Sequence, residues 1–181
     1  MGVREKIFIP NNVYFITFTI LGWQKIFTND KYCNLVYKWF DYIKEHYHNQ
    51  IYGYVIMPNH IHALIYISDQ SPSLSKLIQN AKRFLAYGIV DFLKRDGKRE
   101  LLKFFASQAN TAQKAKHKIF EDRFDSKLVD ADLFLEKLAY IHNNPCQDKW
   151  RLATTPEDYW YSSANNYILG KKGKYEVEIT I

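Results

Sequence analysis

Two histidines separated by one isoleucine, His60-Ile61-His62, open a β-branched, apolar stretch that reads HIHALIYI. On a strand, alternate side chains share a face. Both imidazoles therefore project together, about 7 Å apart along the chain, while Ile61 enters the opposite layer. Two imidazoles on one rigid face form a partial site for a divalent metal. The competing reading is a pair of satisfied surface or core histidines, and an isolated His-x-His leaves both readings open. His46 and His48 have the same spacing but fall near the end of a predicted helix, where residues two apart do not face each other, so that pair reads as incidental. Leu64 occupies the third position of an extended His-x-His-x-His pattern, which argues against the nucleotide hydrolases built on it.

A tyrosine is the second candidate. Residues 132–145 read DLFLEKLAYIHNNP. At about 100° per residue, Phe134, Leu138 and Ile141 form one apolar stripe. Tyr140 lies about 120° away from it on the same wheel, among Leu133, Glu136, Lys137 and Asn144. Asn144 is four residues on from Tyr140 and shares its face. Such a tyrosine is available for chemistry, although an amphipathic packing role, with Asn144 as a cap before Pro145, accounts for the same pattern.

Charge supplies a third clue. The 181-residue chain carries a net +6, and the excess is local. Residues 76–127 hold 13 Lys and Arg against 6 Asp and Glu, a net of +7. A basic middle third interleaved with Phe and Tyr suits a polyanion such as nucleic acid, or else a solvated surface. Lys82, Arg83, Arg95 and Arg123 are the candidates for phosphate contact. Phe84, Tyr87 and Phe104 are either base-stacking residues or core.

These groups need a scaffold. Residues 13–20 (VYFITFTI) predict a strand, and Asn29 or Asp30 caps a helix to about residue 47. Two apolar β runs, 51–57 and 60–67, flank Pro58-Asn59 as a hairpin. A helix follows from Ser71 or Ser73 to about 93, in 3.6-residue register. Residues 94–118 read as a mobile basic segment or insertion with a short helix at 99–109. An extended piece spans 119–129, a helix runs from 130 or 131 to 143 where Pro145 stops it, and a last β run covers 174–181. The order is that of a split βαβ, a ferredoxin-like α+β fold. Its antiparallel sheet has helices packed on one face, plus a C-terminal tyrosine-bearing helix and tail. Length implies one domain over 1–181, with 146–181 as a C-terminal extension. The longest apolar stretch, near 13–21, falls well short of the ~20 residues of a spanning helix. The opening MGVREKIFIP has no apolar core of a leader, and the two cysteines, Cys33 and Cys146, do not make a disulfide framework. A cytoplasmic protein with no membrane partner is the expectation.

YGYVIMPNHIHALI (52–65), followed about 75 residues later by LAYIHNNP (138–145), resembles the single-tyrosine HUH transposases. Their REP-associated tyrosine branch, with its IS200-like transposase domain, is the nearest match. PEDYWYSSANNY (156–167) and the opening VYFITFTI resemble further elements of that branch, so the likeness covers most of the chain. The resemblance implies cleavage of single-stranded DNA, often beside a hairpin. A tyrosine hydroxyl attacks the phosphodiester, a 5′-phosphotyrosine forms with a free 3′-hydroxyl, and strand transfer reverses the step. By motif position Tyr140 is the nucleophile, and His60 and His62 are metal ligands. Asn144 stands where many relatives carry a glutamine as third ligand, with an arm one methylene shorter. Magnesium or manganese suits imidazoles and an amide with room for water. Relatives commonly dimerise, and in some the tyrosine helix serves the partner's site, so a homodimer is expected and both cis and trans use of Tyr140 stay open. Two alternatives remain: a domesticated hairpin DNA or RNA binder that no longer cuts, and a ferredoxin-like domain with a coincidental histidine pair.

Overall fold

The structure, a computed structural model, describes residues 8–109 and 116–179. β1 (Asn12–Thr19) alternates strictly, with Tyr14, Ile16 and Phe18 buried on one face. α1 (Asp30–Tyr47) starts at Asn29, whose side chain accepts from the Lys31 N–H. β2 (Gln50–Met57) and β3 (His60–Ile67) form the expected hairpin, with Met57 paired to His60 across Pro58-Asn59. α2 (Leu74–Arg95) is capped by Ser73 and runs slightly beyond the expected end at residue 93. α3 (Arg99–Ser107), β4 (Asp125–Val129) and α4 (Ala131–Asn143) follow, with Asp130 accepting from the Leu133 N–H to cap α4. A short α5 (Ala164–Ile168) closes the series.

The strands lie in the order β2-β3-β1-β4 and all neighbours are antiparallel, so β3 sits between β1 and β2 and splits the first βαβ unit. This is the ferredoxin-like α+β arrangement. α1 and α2 cover one face of the sheet in the larger core, while α4 covers the other face with Tyr52, Val55, Met57 and Leu64. Apart from exposed Gln50 and half-buried Tyr66, β2 and β3 are buried because both their faces are covered, which is why they read as nearly continuous apolar runs.

Two features set the position of α4. A bulge falls between Ile51 and Gly53 in β2. A Cβ on Gly53 would lie 2.7 Å from Leu138 Cδ1, so the missing side chain is what lets the tyrosine helix sit down on the sheet.

Two expectations change. Residues 174–179 form no strand. They run as a tail that buries Val177 and touches the sheet through one backbone bond, Glu178 N–H to the Ile51 carbonyl at 2.9 Å; residues 180 and 181 lie outside the described residues. In the basic segment 94–118, α3 buries Phe105 completely, and Phe104 packs against Gly22; residues 110–115 lie outside the described residues. The extended piece expected over 119–129 holds an isolated bridge between Ile20 and Phe120 and then β4 from Asp125 to Val129.

Candidate active site

His60 and His62 do share the α4 face of the sheet, because Leu64, of the same parity, packs against Leu138 in the smaller core. Their rings lean together to 4.7 Å between centroids. Both are buried, and each is held through Nδ1. Asn59 Oδ1 lies 2.7 Å from His60 Nδ1. Asn59 Nδ2 donates to the Trp23 carbonyl at 3.3 Å, which fixes the amide orientation. Oδ1 is thus the acceptor, His60 Nδ1 carries the proton, and the Nε2 lone pair is free for a ligand. Thr17 sits directly opposite His62 in the β1–β3 register, with its Oγ1 2.6 Å from His62 Nδ1. His62 Nε2 is buried with no hydrogen-bond partner.

Burial makes these imidazoles poor bases. It pushes His60 down to about 4, helped by Lys149. It pushes His62 down to about 3, helped by His60 and Lys149. Both are neutral at pH 7, the form that ligates a metal.

Tyr140 lies beside the imidazoles. Its ring centroid is 5.2 Å from that of His62 and 6.0 Å from Phe15, and 39% of the residue is exposed. Phe15 stacks on His62 at 5.4 Å and 17°. Lys137 Nζ stands 5.9 Å from the Tyr140 ring centre and 5.6 Å from that of Phe15. On the far side of His60, Trp150 lies at 5.5 Å. Asn144 is fully buried and neither atom of its amide has a partner. A buried amide left with both atoms unpaired costs free energy unless something else satisfies it. The lone pairs of His62 Nε2 and Asn144 Oδ1 are of the kind a cation can take up, while Asn144 Nδ2 is a donor and needs an acceptor. No group of three or more His, Cys, Asp or Glu capable of holding a metal occurs among the described residues, so no further side chain of those four types completes the histidine pair.

The sequence profile described as "Transposase IS200 like" matches residues 13–144. The chain belongs to the IS200-like transposase family. The resemblance carried by VIMPNHIH and YIHNNP is borne out at that level, and these segments supply the histidine pair and the tyrosine that meet in the fold. The solved structure of a REP-associated tyrosine transposase bound to a REP hairpin is similar in fold, with a TM-score of 0.68 at 14% identity over 100% of this chain and 94% of that one. A putative transposase from Deinococcus radiodurans R1 aligns with a TM-score of 0.48 at 12% identity, over 79% of this chain and 95% of that one. No curated protein matches significantly. Among the described residues, no helix is long and apolar enough to cross a membrane.

The four basic candidates fall in different places. Lys82 gives its ammonium to the carbonyls of Glu121, Asp122 and Arg123 at 2.7, 3.2 and 2.9 Å, and burial lowers its pKa to about 8. Its charge holds the segment before β4. Arg83 and Arg95 are exposed on α2, which packs on the sheet face opposite the histidines, and Arg95 pairs with Asp91 at 2.8 Å. Arg123 is exposed just ahead of β4. The cations on the histidine face are others: Lys127, cross-strand from Phe15, then Lys137 and Lys149. Sequence reasoning had Lys137 beside Tyr140 and Lys127 inside the basic stretch but singled out neither as a phosphate contact, and it missed Lys149, Thr17 and Trp150, since strand register and helix docking bring them in. Asn59 was seen only as a turn residue, although its place directly before the histidine pair was visible. The control pair behaves as expected: His46 Nδ1 lies 3.0 Å from the Tyr42 carbonyl, and His48 ends α1 in the left-handed conformation.

Proposed function

We propose that this chain is a divalent-metal-dependent transposase that cuts and rejoins single-stranded DNA beside hairpins through Tyr140. The supporting observation is the partly exposed Tyr140 phenol ring 5.2 Å from His62, whose buried Nε2 is unpartnered. His60, His62 and Asn144 would hold a magnesium or manganese ion. When bound, the ion polarises the phosphate oxygens and offsets charge that develops on them. Tyr140 Oη attacks phosphorus. The bond to the 3′ oxygen breaks, a 5′-phosphotyrosine forms, and the phenolic proton is lost as the 3′ oxygen gains one. Attack by a 3′-hydroxyl reverses the step, and no ATP is needed because the ester bond energy is kept.

Tyr140, His60 and His62 come together within one chain, which supports action in cis. A strand lying on this face meets Lys127, Lys137 and Lys149, point charges suited to phosphate. The hairpin partner is proposed because the REP-associated transposase of similar fold was solved with one.

The test is incubation with labelled hairpin-bearing single-stranded DNA and Mn²⁺, read on a denaturing protein gel. The wild type forms a covalent adduct. Tyr140→Phe forms none and binds DNA within about twofold of wild type, since only the hydroxyl is removed. An adduct in that variant would refute Tyr140 as nucleophile. Binding without any adduct in the wild type would favour a non-cleaving hairpin binder.

A further inference from the structure

A solvent-facing tryptophan stands at the rim of the histidine pair. Trp23 is 62% exposed, and its ring centroid lies 6.3 Å from that of His60. Its backbone is left-handed, with φ of 57° directly after Gly22 at 59°. A bulky side chain rarely adopts that conformation, and where it persists the surroundings must hold it.

Those surroundings are extensive. The Trp23 N–H donates to the Ile20 carbonyl at 3.0 Å, and its own carbonyl accepts from Asn59 Nδ2. Gly22 N–H donates to Glu121 Oε1 at 3.0 Å, and Leu21 N–H to the Ile119 carbonyl at 2.8 Å. A Cβ on Gly22 would meet the Phe104 ring at 2.8 Å, so α3 braces the turn from behind. Asn59 links the tryptophan to the site directly, because the amide that donates to Trp23 also orients His60. The result is a rigid mount that pushes a large apolar ring into water beside a buried metal-ligand pair.

We infer that Trp23 is the stacking platform for an unpaired DNA base next to the phosphate held at His60 and His62. This rests on the proposed single-strand chemistry of that site. Every base offers a π face, so such a platform takes unpaired nucleotides with little sequence preference and rejects paired ones, whose faces are already covered. It would select for a single-stranded tail next to a hairpin.

The test is fluorescence anisotropy in a Tyr140→Phe background, where no strand is cut. The probes are a labelled DNA hairpin with an unpaired tail and the same hairpin with abasic tail residues. Trp23→Ala is expected to weaken binding of the intact tail by about 5- to 150-fold, and Trp23→Phe to restore most of it. Both Trp23 forms should bind the abasic tail equally. Trp23→Gly, which suits the left-handed backbone, should match Trp23→Ala and excludes misfolding as the cause. Unchanged binding of the intact tail, or an equal loss on both probes, would overturn the platform. Because the readout is binding alone, a wild type that forms no adduct would sink the nuclease reading without touching this result.

Discussion

Three buried neutral histidines should make the fold acid-labile well above the carboxylate range. His60 and His142 are pushed down to about 4, and His62 to about 3; burial is the leading cause for all three. Each folded pKa lies below the unfolded value of 6.5, so the unfolded chain binds the extra protons. Stability is then fully present above about pH 6.5 and drains as pH falls toward 4 and 3. One proton per histidine corresponds to about 1.4 kcal/mol per pH unit, or about 4 kcal/mol per pH unit for three. By pH 4 the loss reaches about 3 kcal/mol each, about 9 together, which rivals the whole net stability of a domain. Asp30, Asp96 and Glu136, whose pKa values are lowered by hydrogen bonds with Lys174, Lys31 and Lys137, act with the same sign but only around and below the ordinary carboxylate range. The interval from pH 6 to 5 therefore reports the histidines. Urea unfolding followed by circular dichroism, with a chelator present, should show stability falling by about 3.5 kcal/mol over that unit, because the unfolded histidines are not yet fully protonated at pH 6. His142→Asn should reduce the slope by one proton. A wild-type slope of one proton or less would show that the imidazoles are solvated, and the argument from burial would fail.

Other variants separate structural from DNA-binding roles. Lys82→Met should cost about 1–3 kcal/mol by freeing three carbonyls, while changing DNA affinity less than twofold; paired melts and anisotropy titrations check this. Gly53→Val should cost about 1–3 kcal/mol by driving into Leu138, lowering the melting temperature by about 2–12 °C and reducing adduct formation as α4 shifts. Mn²⁺ at a hundred times its Kd should stabilise the wild type by about 2.7 kcal/mol in thermal melts, and His62→Ala should lose that gain.

Local features were legible in the sequence. Asn29, Ser73 and Asp130 cap helices where short polar side chains precede periodic apolar runs, and the 60–67 alternation placed both imidazoles on one face. Features that depend on distant partners were not. Thr17 reaches His62 only through strand register, forty-five positions apart in the chain. Lys82 reads as a free surface cation because its helix position is amphipathic, and only the loop folded over it shows the charge is taken. The 174–181 run has strand composition, but residues 174–179 form no ladder, so Val177 packs without pairing.

The same distinction explains how the site is held. Metal ligation asks for neutral imidazoles with a free Nε2, and burial, helped by Lys149, provides neutrality. Burial does not choose the tautomer. Asn59 does so for His60, and it can because the turn that carries it is bound on both sides: the Pro58 carbonyl accepts from Ile26 and Phe27 N–H groups at 2.8 and 2.9 Å, and the Asn59 carbonyl from Ile20 at 2.8 Å. The segment after β1 thus clamps the β2–β3 turn, orients the His60 imidazole and presents Trp23, so on the proposed function loosening any of these contacts should disturb metal affinity and tail binding together.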